Sequence, residues 1–126
     1  MKRYFLAYLP AALWAVVVLI IGGQDQIGVP RLPVGVDKVA HLVLYAILGA
    51  LTAWGWLRSG RRPGAAWPIL LVIALGAVDE ARQLELSGRS AEIMDWLADA
   101  AGAFTAYAIV VARANRRRRE EDADEP

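Results

Sequence analysis

Apolar residues along the chain fall into four long runs bounded by glycine, proline or clustered charge. The first covers Phe5 to Ile21 (FLAYLPAALWAVVVLII), with Lys2 and Arg3 before it and Gly22 and Gly23 after it. The second extends from Asp37 to Leu57 and closes on Trp54 and Trp56, and the fourth extends from Asp95 to Ala112. Crossing the hydrocarbon takes roughly 20 residues of helix at about 1.5 Å each, so these three runs predict transmembrane helices. In the third, uninterrupted apolarity lasts only from Trp67 to Val78, about 18 Å of helix at the standard rise. Continuing through DEARQLEL supplies the missing length, with Pro68 tolerated in the first turn and Gly88 a natural stop. Asp79, Glu80, Arg82 and Gln83 are then expected inside one end of the membrane. The pattern predicts an all-α membrane protein, a four-helix transmembrane bundle. No A-x-A-like cleavage site follows the first run, which is therefore expected to remain as a span.

Composition agrees with a bilayer setting: of 126 residues 57% are hydrophobic, and mean hydropathy is +0.37. The length and the lack of a fixed-period repeat suit one membrane domain, residues 1–112, followed by a charged tail, 113–126, expected to be disordered. Zero cysteines exclude disulfides, thiol catalysis and cysteine-based zinc sites, and a net charge of +1 gives no ground for a nucleic-acid partner. Local charge says more. Lys2, Arg3, Arg58, Arg61, Arg62, Arg113 and Arg116 to Arg119 fall on one side of the predicted spans, against Arg31, Lys38, Arg82 and Arg89 on the other. The positive-inside rule then expects both termini and the middle loop in the cytoplasm.

With that topology, every carboxylate outside the tail lies at the outer side: Asp25, Asp37, Asp79, Glu80, Glu85, Glu92, Asp95 and Asp99, joined by His41, the only histidine. Residues four apart share a helix face. Asp37, His41 and Tyr45 make one stripe, Asp79 and Gln83 a second, and Asp95 and Asp99 a third, continued by Gly102 and Ala106. A charge at the bilayer centre costs about 2.5 to 3.5 kcal/mol on insertion scales. These groups should therefore face one another, with Lys38, Arg82 and Arg89 as counterions. Rows of small residues at four-residue spacing (Ala98, Gly102, Ala106; Gly49, Ala53; Ala7, Ala11, Ala15) would let the helices approach, and packing explains them without a ligand.

His41 is a candidate general base or metal ligand, since ionisable residues inside membranes mark functional sites; the plainer reading is a hydrogen bond across helices. Asp79 and Glu80 diverge by about 100° on a helix, so only Asp79, on the Gln83 face, points at the centre. SGRS, residues 87 to 90, reads as punctuation, with Gly88 as a left-handed cap and Ser90 as the next N-cap. Arg89 beside them either neutralises the carboxylates or grips a ligand's phosphate or carboxylate with two hydrogen bonds. The alternative for the whole cluster is a salt-bridge network that holds the bundle shut.

Two blocks carry a family resemblance: DKVAHLVLYAILG, with Asp37, Lys38, His41, Tyr45 and Gly49, and DEARQLELSGRSAEIMDWLADAAG, with Asp79, Glu80, Gln83, Gly88, Arg89, Ser90, Asp95 and Gly102. In these, about half of the chain, the sequence resembles the VanZ-like family of small bacterial membrane proteins. The resemblance implies a bacterial plasma-membrane location and a setting of resistance to teicoplanin-type glycopeptides, to which the first recognised member is linked. Two positions depart from the family pattern. Ser87 stands where proline usually precedes the Gly-Arg-Ser turn, and Asp99 stands where asparagine is common.

The expected function is an outward-facing polar pocket that binds or acts on a cell-envelope component: a lipid-linked precursor, a lipid head group or a glycopeptide-related ligand. Its candidate catalytic groups are His41, Asp79 and Asp95, the same three that are candidates for a divalent metal. Asp37, Lys38, Tyr45, Glu80, Gln83, Arg89, Ser90 and Asp99 are the candidate ligand-binding residues. A non-catalytic scaffold or binding protein is the alternative. A small transporter ranks lower because the polar stripes sit at one end and not at the midplane. An aspartyl-dyad peptidase, with Asp79 and Asp95 sharing a proton, ranks lower because its other sequence signatures are missing.

Overall fold

A computed structural model of the chain describes residues 2–22, 36–61, 64–87 and 93–124. Those residues form four helices and no strand: α1 (Lys2–Gly22), α2 (Val36–Arg58), α3 (Ala66–Ser87) and α4 (Ile93–Asp124). Three of them, α1, α2 and α4, are long and apolar enough to cross a membrane. Helix α3 runs through the charged DEARQLEL segment to Ser87, the continuation expected from the sequence, and is not among the three apolar enough to cross. Pro10 is accommodated inside α1 and Pro68 lies in the first turn of α3, where no intrahelical donor is lost.

Many large apolar side chains point outward, among them Phe5 at 78% exposure, Leu71 at 68% and Ile93 at 72%. In water such a surface would aggregate; against acyl chains it is the expected exterior. The interior is small by contrast. Val18, Tyr45, Leu48, Ala53, Val72, Ala103 and Tyr107 make the buried core, and Tyr45 and Leu48 are its largest fully enclosed side chains.

The closest helix pair, α2 with α4, is not consecutive in the chain. Its two members run in the same direction, because Lys38 meets Asp95, His41 meets Asp99 and Gly49 meets Ala103. Glycine makes the approach possible. A Cβ at Gly49 would collide with the Ala103 carbonyl, and one at Gly102 with the Leu42 carbonyl. Ala53 and Ala103 are completely buried in the same seam. With no hydrophobic drive between helices in lipid, such backbone proximity is the main source of packing energy.

Polar cross-links fasten the other helices. Trp14 of α1 donates its indole N–H to the Leu44 carbonyl at 2.9 Å, and Tyr107 of α4 donates its hydroxyl to the Ala65 carbonyl at the start of α3 at 2.7 Å. Tyr107→Phe is expected to lower stability by about 1 kcal/mol, the usual net worth of one such bond. Thermal unfolding in detergent would read the change, and an unaltered midpoint would mean the bond contributes nothing.

Helix α2 ends in a tight turn: Ser59 caps the Trp56 carbonyl with its hydroxyl at 2.8 Å, and Gly60 and Arg61 adopt φ of 75° and 64°. Glycine accepts that conformation freely, whereas an arginine there costs about 1 kcal/mol or more. At the far end of the chain the structure differs from the sequence expectation of a disordered tail. Helix α4 continues beyond Ala112 to Asp124, with an exposed Arg116–Glu120 ion pair at 2.8 Å. Arginines followed four residues later by acids support a helix even without tertiary contacts.

Candidate functional site

Parallel α2 and α4, with antiparallel α3 beside them, bring the polar stripes to one end of the bundle. Lys38 Nζ lies 2.5 Å from Asp95 Oδ1, and one turn further along, His41 Nδ1 lies 3.2 Å from Asp99 Oδ1. The two pairs follow from spacing: positions 38 and 41 on α2 and 95 and 99 on α4 are each a helical turn apart on one face. Lys38 is partly exposed, whereas Asp99 is buried, so the cluster grades from a wet rim to a closed interior.

Helix α3 supplies the opposite wall. Asp79 is buried despite its charge-bearing side chain, and Arg82, one turn on, places Nη1 3.7 Å from its carboxylate. Three side chains converge on Gly76, one turn before Asp79: a Cβ there would make ordinary contact with the Tyr45 ring at 3.4 Å, the Trp96 indole at 3.5 Å and Asp99 Cβ at 3.7 Å. Trp96 is held in place by donating its N–H to the Ile73 carbonyl at 3.2 Å. At the floor of this arrangement Tyr45 is 1% exposed, and its buried hydroxyl has no hydrogen-bond partner among the described residues. The Tyr45 ring and the Asp99 side chain meet at Gly76. A buried hydroxyl without a partner is rare enough to require an explanation.

Of the residues singled out in the sequence, Lys38, His41, Tyr45, Asp79, Asp95 and Asp99 are thus gathered at one end, with Glu80 half-buried beside them. The side chains of Asp37 and Gln83 lie outside the described ones, as do Arg89 and Ser90 altogether. Among the described residues no group of three His, Asp or Glu is arranged to hold a metal ion. The three metal candidates each face another partner: His41 faces Asp99, Asp95 faces Lys38 and Asp79 faces Arg82. Sequence reasoning missed Gly76 and Trp96. Both sit at helical spacing from a named carboxylate, Gly76 three before Asp79 and Trp96 three before Asp99, and that spacing was the available signal.

Apolar helices around a cluster of ionisable side chains sunk in one end define a small integral membrane protein with a polar site. The chain belongs to the VanZ/LLP1 family, whose family model matches residues 4–114. No curated protein and no solved structure matches it.

Proposed function

We propose that the Lys38–His41–Tyr45–Asp79–Asp95–Asp99 cluster is a pocket opening at the extracytoplasmic face of the bacterial plasma membrane, where it binds a polar group of a cell-envelope component. The ligand is a lipid-linked precursor, a lipid head group or a glycopeptide-related molecule, and its binding contributes to glycopeptide resistance. The orientation rests on the distribution of arginine and lysine. The observation that carries the reading is the Tyr45 hydroxyl, buried and without a partner among the described residues, with Asp99 beside its ring. A group there that is both acceptor and donor would satisfy the phenol and a neighbouring carboxylate at once.

Tyr45→Phe separates this reading from a purely structural cluster. Removing an unsatisfied buried hydroxyl is expected to leave stability unchanged or raise it by about 1 kcal/mol, while teicoplanin tolerance conferred by the expressed chain is lost. Lower stability with tolerance intact would defeat the proposal. A catalytic version has one observation in its favour: Asp99 holds His41 through Nδ1, as carboxylates orient histidines used for proton transfer. Separate His41→Ala and Asp79→Asn variants distinguish the two. A catalyst loses turnover abruptly with either, whereas a binding protein loses affinity by degrees.

A further inference from the structure

The opposite end of the bundle holds a second feature that the polar pocket does not use. Between α3 and α4 runs a groove of about 510 Å³, walled by Ile69, Ile73, Phe104, Ala108 and Val111 and ending at Asn115. That volume lies within the roughly 300–1,000 Å³ typical of small-molecule sites. Tyr107 also lines it, but its hydroxyl is already used on the Ala65 carbonyl, so the walls offer a ligand almost nothing but hydrocarbon.

Arg61 stands at the same end. Its guanidinium lies over the Trp56 ring, 5.4 Å from the centroid, and the Trp56 ring in turn lies 6.3 Å from that of Tyr107 in the groove wall. Its Nε and Nη2 are buried and have no hydrogen-bond partner among the described residues. These two nitrogens share one edge of the planar fork, the edge that grips a phosphate or carboxylate with two parallel bonds. The sequence around it is poor in acids, with no carboxylate between Asp37 and Asp79 or between Asp99 and Glu120. Arg61 moreover keeps a left-handed backbone, a conformation that bulky residues retain only where the surroundings hold them there. Arg58 and Arg113 add positive charge at this end.

We propose that this end binds one anionic phospholipid, its acyl chain in the α3–α4 groove and its phosphate on the Nε–Nη2 edge of Arg61. The two halves of the site call for a molecule that is hydrocarbon at one end and an oxyanion at the other. In a bilayer the groove opens onto lipid, which supplies such a molecule at high local concentration. The site is independent of the pocket around Tyr45, and neither reading depends on the other.

The test uses the full chain purified in detergent and exposed to an equimolar mixture of phosphatidylglycerol and diacylglycerol with identical acyl chains, with retained lipid counted by native mass spectrometry. Phosphatidylglycerol should be retained over diacylglycerol, which lacks the phosphate, by roughly tenfold, as expected for one charge-assisted, two-pronged contact. Arg61→Gln should abolish the preference, and Arg61→Lys should restore only part of it. Ala108→Trp, which fills the groove without touching the arginine, should abolish retention of both lipids. Soluble glycerol 3-phosphate should not displace the lipid; if it does, the site takes a free phosphate and the lipid assignment fails. Equal retention of the two lipids by the unmodified chain would overturn the proposal. So would a preference that survives both Arg61→Gln and Ala108→Trp but disappears when Arg116 to Arg119 are changed to glutamine.

Discussion

Replacing Gly102 with valine is expected to part α2 from α4 and to destabilise the protein by roughly 3 kcal/mol, the upper end of the usual cost of overpacking. The collision would be with the backbone carbonyl of Leu42. No rotamer change relieves it, so one whole helix has to shift. Gly49→Val should act alike against the Ala103 carbonyl. Because both substitutions strain the same seam, the double variant should cost less than the two single costs added together. Gly64→Ala is the control: nothing lies within 4 Å of a Cβ there, and the change should stay within about 0.5 kcal/mol. Unfolding by a denaturing detergent would measure all four, and a Gly102→Val protein as stable as the parent would refute the described α2–α4 contact.

Asp99→Leu should rival that effect. It strips a buried acceptor from His41 Nδ1, and breaking one side of a buried polar pair costs about 3 kcal/mol. His41→Leu should cost a similar amount, and the double variant less than both together, because the loss of their shared hydrogen bond is then counted once. Asp99→Asn keeps an oxygen facing His41 and should lose about 1 kcal/mol or less. Purely additive costs for His41→Leu and Asp99→Leu would show that the pair does not interact.

Length and hydropathy alone made the four helices legible, including the continuation of α3 through Asp79 and Arg82, because a helix of only about 18 Å cannot cross hydrocarbon about 30 Å thick. The meeting of His41 with Asp99 and of Lys38 with Asp95 was legible as a class of contact: polar stripes at one depth have to find each other. The pairing itself was not, since it depends on the rotation of α4 about its axis. Gly76 was hidden because a single glycine in a greasy helix looks merely tolerated, and its place at the meeting of Tyr45 and Trp96 depends on side chains from two other helices. Ala103 is offset by one from the Ala98, Gly102 and Ala106 row, yet it is the fully buried member of the seam. Two adjacent small positions, and not a four-residue repeat alone, set the contact. In the tail, composition weighs charge and not spacing: α4 runs on to Asp124, and Arg116 and Glu120, four residues apart, pair on one face.

The parallel pairing of α2 with α4 sets a timetable for biosynthesis. The acceptors for Lys38 and His41 lie 57 and 58 residues downstream, so α2 leaves the ribosome while its partners are still untranslated. At roughly 5–20 residues per second, that interval lasts about three to eleven seconds. Throughout it the nascent helix must hold an ammonium and an imidazole without Asp95 and Asp99 to receive them, whether in the insertion machinery or at the water-facing margin of the membrane.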